Sequence, residues 1–198
     1  MHRTCCDDSA LPHHSIGAAG DYLFSHEFNS KGPMVCIMQG NSNIRSIGVI
    51  GTPGCGKTTF CNQMNLPILS VEHLAMMHDC LGEMDEDGSS PVDVEKLAKL
   101  WQQPEELTLI DGHLAHHLPV DALIILRCDP SILRKRLEAR GYSEQKVTAN
   151  VEVEMLGGPW PELLDDSRPK IEDTSNISSW IAAGCPNAAI PETAIDWL

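Results

Sequence analysis

The stretch Gly51-Thr52-Pro53-Gly54-Cys55-Gly56-Lys57-Thr58-Thr59 constrains this chain more than any other. It satisfies the pattern GxxxxGK[ST]. It also stands where that pattern works, between the short apolar run Ser46-Ile47-Gly48-Val49-Ile50 and a segment predicted helical over 57–64. The glycines at 51, 54 and 56 let the backbone curl so that successive N–H groups face inward as an anion nest. The helix starting there adds the positive end of its dipole. Lys57 then meets the β- and γ-phosphates of a nucleoside triphosphate, and the Thr58 hydroxyl is positioned to ligate Mg²⁺. A chance match in a glycine-containing turn is the alternative, and the strand–loop–helix context argues against it. Cys55 lies inside the loop, where a helix N-terminus lowers thiol pKa values. It reads either as a redox switch or as a small side chain that simply fits.

The rest of the chain from residue 44 reads as an α/β domain. Apolar runs predict strands over 67–71, 107–111 and 122–126, with a last strand over 170–174. Asp129 can cap a helix with Pro130 at its first position, running to Arg140 and stopped by Gly141. Further helices are predicted over 147–156 and over 191–198, the latter opened by Pro191. Gly157-Gly158-Pro159 should break any longer helix there. Strands alternating with helices imply a parallel sheet with right-handed crossovers. Residues 1–43, with His13-His14 and several glycines, carry no sustained periodicity. They read as a flexible or loosely docked extension, or as an over-long start ahead of Met34 and Met38.

Charge narrows the partners. The 198 residues hold 28 acids against 14 bases, a formal charge of −14. That balance argues against a whole-surface contact with nucleic acid or an anionic membrane, so no direct DNA binding is expected. Any bound phosphate must sit in a local pocket. The acidity suits a basic protein partner, or simply a soluble or salt-adapted surface. The 8 cysteines include no CxxC pair, which predicts neither a zinc ribbon nor a disulfide scaffold. No signal peptide and no apolar run near the ~20 residues of a membrane span is evident, so a cytoplasmic protein with reduced thiols is expected.

Two further groups carry chemistry. Asp111 ends the run Leu107-Thr108-Leu109-Ile110, where an NTP-using enzyme needs a carboxylate to hold magnesium directly or through water, although a strand-end Asp also caps turns. His113 follows, able to orient a water or relay the state of the γ-phosphate. His116 and His117 complete a spacing compatible with a metal site, but no carboxylate is adjacent in sequence and Pro119 limits any helix. Arg127, Arg134, Lys135, Arg136 and Arg140 supply five of the 14 basic residues. On a helix Arg136 and Arg140 share a face and can converge on one phosphate chain; a solvated face paired with Glu138 and Glu144 is the alternative.

Taken together, the loop, Asp111-Gly112-His113, and the run Leu133-Arg134-Lys135-Arg136-Leu137-Glu138-Ala139-Arg140-Gly141-Tyr142 with Lys146, Asn150, Glu154 and Glu172-Asp173-Thr174 resemble the adenylate kinase isoenzyme 6 family and its archaeal relatives. The resemblance implies a P-loop NTPase fold, a three-layer α/β sandwich with a five-stranded parallel sheet, a monophosphate-binding insertion over about 72–97 and a short lid over about 139–149. It implies ATP and Mg²⁺ as cofactors and the reaction ATP + AMP ⇌ 2 ADP, broad toward monophosphates, alongside ATPase activity. Gly51, Gly54, Cys55, Gly56, Lys57, Thr58, Thr59 and Arg140 become the ATP site and Thr58 and Asp111 the metal site. Lys57, Asp111, His113, Arg136 and Arg140 become the catalytic set. A basic ribosomal protein of the small subunit is the implied partner, which gives a second reading as a ribosome maturation ATPase. Between Lys57 and Arg127 there is no arginine, so a clamp on the acceptor phosphate would fall to Lys96, Lys99, Arg127 or a histidine.

Overall fold

Runs such as Ile47-Gly48-Val49-Ile50 and Ala122-Leu123-Ile124-Ile125 are apolar at every position, which suits a strand covered on both faces. The computed structural model, which describes residues 43–84, 90–172 and 174–197, bears this out. The predicted extension over 1–43 lies, Asn43 apart, outside the described residues. Five strands, β1 (Ser46–Ile50), β2 (Ile68–Ser70), β3 (Thr108–Asp111), β4 (Ala122–Ile125) and β5 (Lys170–Ile171), form an all-parallel sheet in the order β2-β3-β1-β4-β5. Its helices are α1 (Lys57–Gln63), α2 (Val71–Met77), α3 (Val94–Lys99), α4 (Pro130–Ala139), α5 (Glu144–Met155) and α6 (Ile177–Ala182). This is the α/β P-loop NTPase fold.

Successive strand residues feed two cores. Ile47, Val49, Leu109, Ala122 and Ile124 pack with Cys61 of α1, Leu133 and Leu137 of α4, Val147 and Val151 of α5, and Trp180 of α6. Ile50, Ile110, Leu123 and Ile125 point the other way, onto Val71 and Ala75 of α2, Leu97 of α3, and two single turns at Ala115–His117 and Trp160–Leu163. Burying each Leu or Ile contributes about 1.5–3 kcal/mol, so the three layers are held mainly by this alternation.

Topology then decides where a ligand goes. The chain leaves β1 toward β2 and β3 on one side, and leaves β4 toward β5 on the other, so the crevice beyond the carboxyl ends of β1 and β4 is the switch point. The register pairs Val49 with both Asp111 and Ile124, which brings the end of β3 level with the start of the glycine loop.

Several local expectations change. Residues 67–71 give a strand only to Ser70, because the Ser70 hydroxyl accepts from the His73 N–H at 2.9 Å and caps α2 from Val71 onward. The helix predicted from 147 begins at Glu144, since Ser143 caps it by accepting from the Lys146 N–H. It stops at Met155, ahead of Gly157-Gly158-Pro159. Residues 139–149 therefore run as the end of α4, a short turn and the start of α5, with Val147 buried. Over 72–97 the chain holds α2, α3 and an antiparallel bridge between Leu81 and Val92. The last strand is only Lys170–Ile171, and the predicted helix over 191–198 is a single turn, Pro191–Thr193. Its continuation is prevented by Ile195, whose N–H donates to Glu172 Oε2 at 3.1 Å and whose carbonyl accepts from Arg127 Nη1 at 3.0 Å.

Candidate functional site

The glycine loop closes against β4. A Cβ on Gly51, where φ is 147°, would collide with the backbone carbonyl of Leu126, so only glycine passes this point. Beyond it the chain turns directly into α1, leaving the first N–H groups of that helix without intrahelical partners. Lys57, at the first helical position, folds back over the loop: its Nζ donates to the Gly51 carbonyl at 2.8 Å and the Thr52 carbonyl at 3.3 Å.

Thr58 and Asp111, both expected to serve a magnesium ion, lie side by side. The Thr58 hydroxyl donates to Asp111 Oδ2 at 2.7 Å, across from loop to the end of β3. A hydroxyl and a carboxylate side by side are the hard oxygen donors that Mg²⁺ takes, so these two residues fit a magnesium site. Gly112 lets α2 approach β3 here, since a Cβ would sit 2.7 Å from the Val71 side chain. His113 opens toward solvent next in the chain. Surrounding protein, and secondarily the Lys57 charge, hold its imidazole below the ordinary histidine pKa, so it is neutral at neutral pH.

The arginines separate into three roles. Arg136, midway along α4, donates from Nη1 to the Cys55 carbonyl at 3.1 Å and lies against the loop. Arg140 is exposed at the C-cap of α4, and the structure gives its guanidinium no hydrogen bond to the loop. Arg134 forms the solvated pair, donating to Glu144 at 2.8 Å. The structure thus brings Arg136 to the loop and leaves Arg140 away from it.

Arg127 is not available to an acceptor phosphate. Its side chain is buried, with Nε donating to Glu154 Oε1 at 2.8 Å, Nη2 to the Glu154 carbonyl at 2.8 Å, and Nη1 to Glu172 Oε1 at 3.3 Å and to the Ile195 carbonyl. The two carboxylates consume the guanidinium. Glu154 is itself fully buried, accepting also from the Cys128 N–H at 3.0 Å and from the Thr52 hydroxyl of the loop. Glu172 further accepts from Trp160 Nε1 at 3.0 Å. Sequence reading assigned no such role to Glu154 or Glu172. The signal for Glu154 was present: Val147, Val151 and Glu154 follow the i, i+4, i+7 spacing of a buried face, with an acid standing where an apolar residue belongs.

Cys55 is buried, and desolvation raises its thiol pKa against the lowering pull of Lys57. Burial thus works against a reactive thiolate here, and Cys55 packs as a small side chain in the loop. An open cavity of about 620 Å³ lies at the β1–β4 switch point, lined by Cys55, Gly56, Phe60, Leu126, Arg127, Glu172, Thr174, Ala188, Ala189, Thr193 and Ile195. Its size and mixed lining suit a heterocyclic base. No helix among the described residues is long and apolar enough to cross a membrane.

The chain is similar in sequence to known proteins. The AAA_18 family model, an AAA domain, matches residues 47–157, which carry the loop, Asp111, His113 and the arginine helix. A protein of Methanocaldococcus jannaschii named "Putative adenylate kinase" is 32% identical over 166 residues, covering 76% of this chain and 92% of its own length. Proteins of the same name are 37% identical over 136 residues in Archaeoglobus fulgidus, covering 67% and 74%, and 38% identical over 141 residues in Thermococcus onnurineus, covering 67% and 76%.

Proposed function

Because the chain belongs to the AAA_18 family, we propose that it is a nucleotide kinase of the adenylate kinase type. On this reading it transfers the γ-phosphoryl group of ATP to AMP or another nucleoside monophosphate. The single observation that carries the reading is the hydroxyl–carboxylate pair of Thr58 and Asp111 at the mouth of the glycine loop. The names of the archaeal relatives favour the adenylate kinase type, and the isoenzyme 6 branch is the one whose motifs the chain resembles.

Each residue has a task in that reaction. Loop N–H groups cradle the phosphates, and the adenine enters the cavity at the switch point. Lys57 exchanges the carbonyls of Gly51 and Thr52 for phosphate oxygens. Thr58 and Asp111 would hold Mg²⁺, which would supply positive charge to neutralise the phosphates. Arg136, already resting on the loop, turns toward the transferring group, and Arg140 joins it when the turn after α4 closes over the site. Neutral His113 orients the attacking acceptor or a water. Phosphoryl transfer asks little covalent chemistry of a protein, so positioned charge is sufficient.

The decisive assay follows ADP from MgATP with AMP, CMP, dAMP or no acceptor. A kinase forms ADP many times faster with a monophosphate; equal rates without one remove this reading.

One observation favours a second reading. Arg127 is consumed by Glu154 and Glu172, and no other arginine lies between it and Lys57, so a clamp on the acceptor phosphate falls to Lys96, Lys99 or a histidine. A site so built can pass the phosphoryl group to water. The chain would then act as an ATPase whose cycle releases a basic ribosomal protein of the small subunit, bound through the acidic surface. Pull-down of small-subunit ribosomal proteins with and without ATP separates the two.

A further inference from the structure

A second cluster of reactive side chains stands apart from the glycine loop. The turn Ala115–His117 follows β3 and packs on the face that carries α2 and α3, and the turn Trp160–Leu163 packs beside it. Between them, His116 Nε2 lies 2.7 Å and His117 Nε2 3.5 Å from Glu162 Oε2. One donor atom from each of the three residues falls within 4.8 Å of the other two. The carboxylate that sequence reading could not find near these histidines comes from 45 residues downstream of His117.

We propose that His116, His117 and Glu162 bind a divalent transition-metal ion of the zinc class, in a site independent of the nucleotide. The donor set is two imidazoles and one carboxylate, the set of three-ligand zinc sites that keep an open position. Zn–N and Zn–O bonds of about 2.0–2.2 Å in tetrahedral array separate donors by roughly 3.3–3.5 Å, a spacing that the present distances bracket. Reaching it needs small movements of the two exposed partners, Glu162 and His117, around the buried His116. The backbone beneath is fixed: Arg168 donates from Nη2 to the His116 carbonyl at 2.6 Å and from Nη1 to the Leu118 carbonyl at 2.8 Å. Both imidazoles also line an open cavity of about 640 Å³ with Lys99, so the remaining coordination position faces solvent and room for a water or small anion.

The same geometry limits the affinity. His116 Nδ1 is buried without a hydrogen-bond partner. A metal on Nε2 moves the ring proton to Nδ1, where no acceptor receives it. Sites lacking that outer acceptor bind about 10–100-fold more weakly than those that have it, which makes this an exchangeable site.

The test titrates Zn²⁺ calorimetrically into the full chain, stripped with chelator and free of nucleotide. The comparison protein is His117→Ala with Glu162→Gln, both at exposed positions, and circular dichroism checks that each remains folded. The wild type should take up one more equivalent than the double variant, and each single variant should weaken that equivalent at least about tenfold. Co²⁺ supplies a second readout: the equivalent lost in the double variant should show visible d–d bands without thiolate charge transfer. Equal stoichiometry and affinity in wild type and double variant overturns the proposal. So does a Co²⁺ spectrum of thiolate charge transfer that the substitutions leave unchanged.

Discussion

Replacing Glu154 by glutamine tests whether the buried ion pair under the glycine loop holds the fold together. Glu154 is 0% exposed, and its carboxylate accepts from Arg127 Nε at 2.8 Å, the Cys128 N–H at 3.0 Å and the Thr52 hydroxyl. Glutamine keeps the shape but presents an amide NH₂ to a set of donors and leaves the guanidinium short of one charge. Removing one member of a buried pair costs about 3–5 kcal/mol. Arg127 retains Glu172 at 3.3 Å and two carbonyls, which places the expected loss near the lower end, about 3 kcal/mol. For a domain of this size that is a fall in Tm of about 6–12 °C, out of a total stability of only about 5–15 kcal/mol. Thermal unfolding followed by circular dichroism reads it directly. Because Thr52 loses its anchor, KM for ATP should rise as well. A double-mutant cycle with Arg127→Met should show coupling of at least about 1 kcal/mol, since removing both charges spares the unpaired one. A Tm within about 2 °C of wild type, or strict additivity in the cycle, refutes the reasoning.

Lys57→Ala should lower kcat/KM at least about 10²-fold, the scale of losing one preorganised donor, in a coupled ADP assay. Gly51→Ala should abolish ATP binding measured by calorimetry, because the new methyl meets the Leu126 carbonyl at a backbone angle that alanine resists. Asp111→Asn should raise the Mg²⁺ concentration needed for half-maximal rate while leaving the fold intact, as shown by an unchanged unfolding midpoint. Burial alone would raise the pKa of Asp166, but its hydrogen bonds and ion pair with Arg168 bring it below the usual carboxylate range. The unfolded chain therefore binds a proton first on acidification, so the stability difference between wild type and Asp166→Asn should be full above about pH 4 and shrink as pH falls through the lower folded value.

What the sequence made legible was what depends on local pattern. The three long apolar runs became β1, β3 and β4 because a strand covered on both faces has to be apolar at every position. Asp129 and Pro130 open α4 as predicted, with the Asp129 carboxylate accepting from the Ser131 N–H at 2.8 Å. Thr58 and Asp111 were each singled out from the chemistry of magnesium, one from the glycine-loop motif and one as an acid ending an apolar run, and the parallel sheet puts both at the same edge. The short helices α2, α3 and α6 were not legible as such. They run to seven residues or fewer, too short for periodicity to rise above composition, and two of them are set by single capping hydrogen bonds, at Ser70 and Asp93. The C-terminal segment failed for a different reason: Ile195 gives its backbone groups to Glu172 and Arg127, partners that sequence spacing does not reveal.

Arg127 shows the limit most sharply. Proximity in sequence to Arg134, Arg136 and Arg140 grouped it with the phosphate-binding cations, yet the four do different work. A guanidinium in an acidic chain goes where its desolvation is best repaid. Arg127, just past the end of a central strand, has an almost wholly buried side chain and two carboxylates within 3.3 Å, so it serves the interior. Arg136, in the last turn of α4, meets two loop carbonyls and the Cys128 thiol, all uncharged, so it keeps the freedom to exchange them for a phosphate. The same comparison carries over to the acids: Glu154 and Glu172 are tied to the buried guanidinium, and Asp111, which accepts from the Thr58 hydroxyl, is the carboxylate that the proposed function gives to the metal. On the proposed function, the work of this site falls to the charged groups whose present partners are neutral and replaceable.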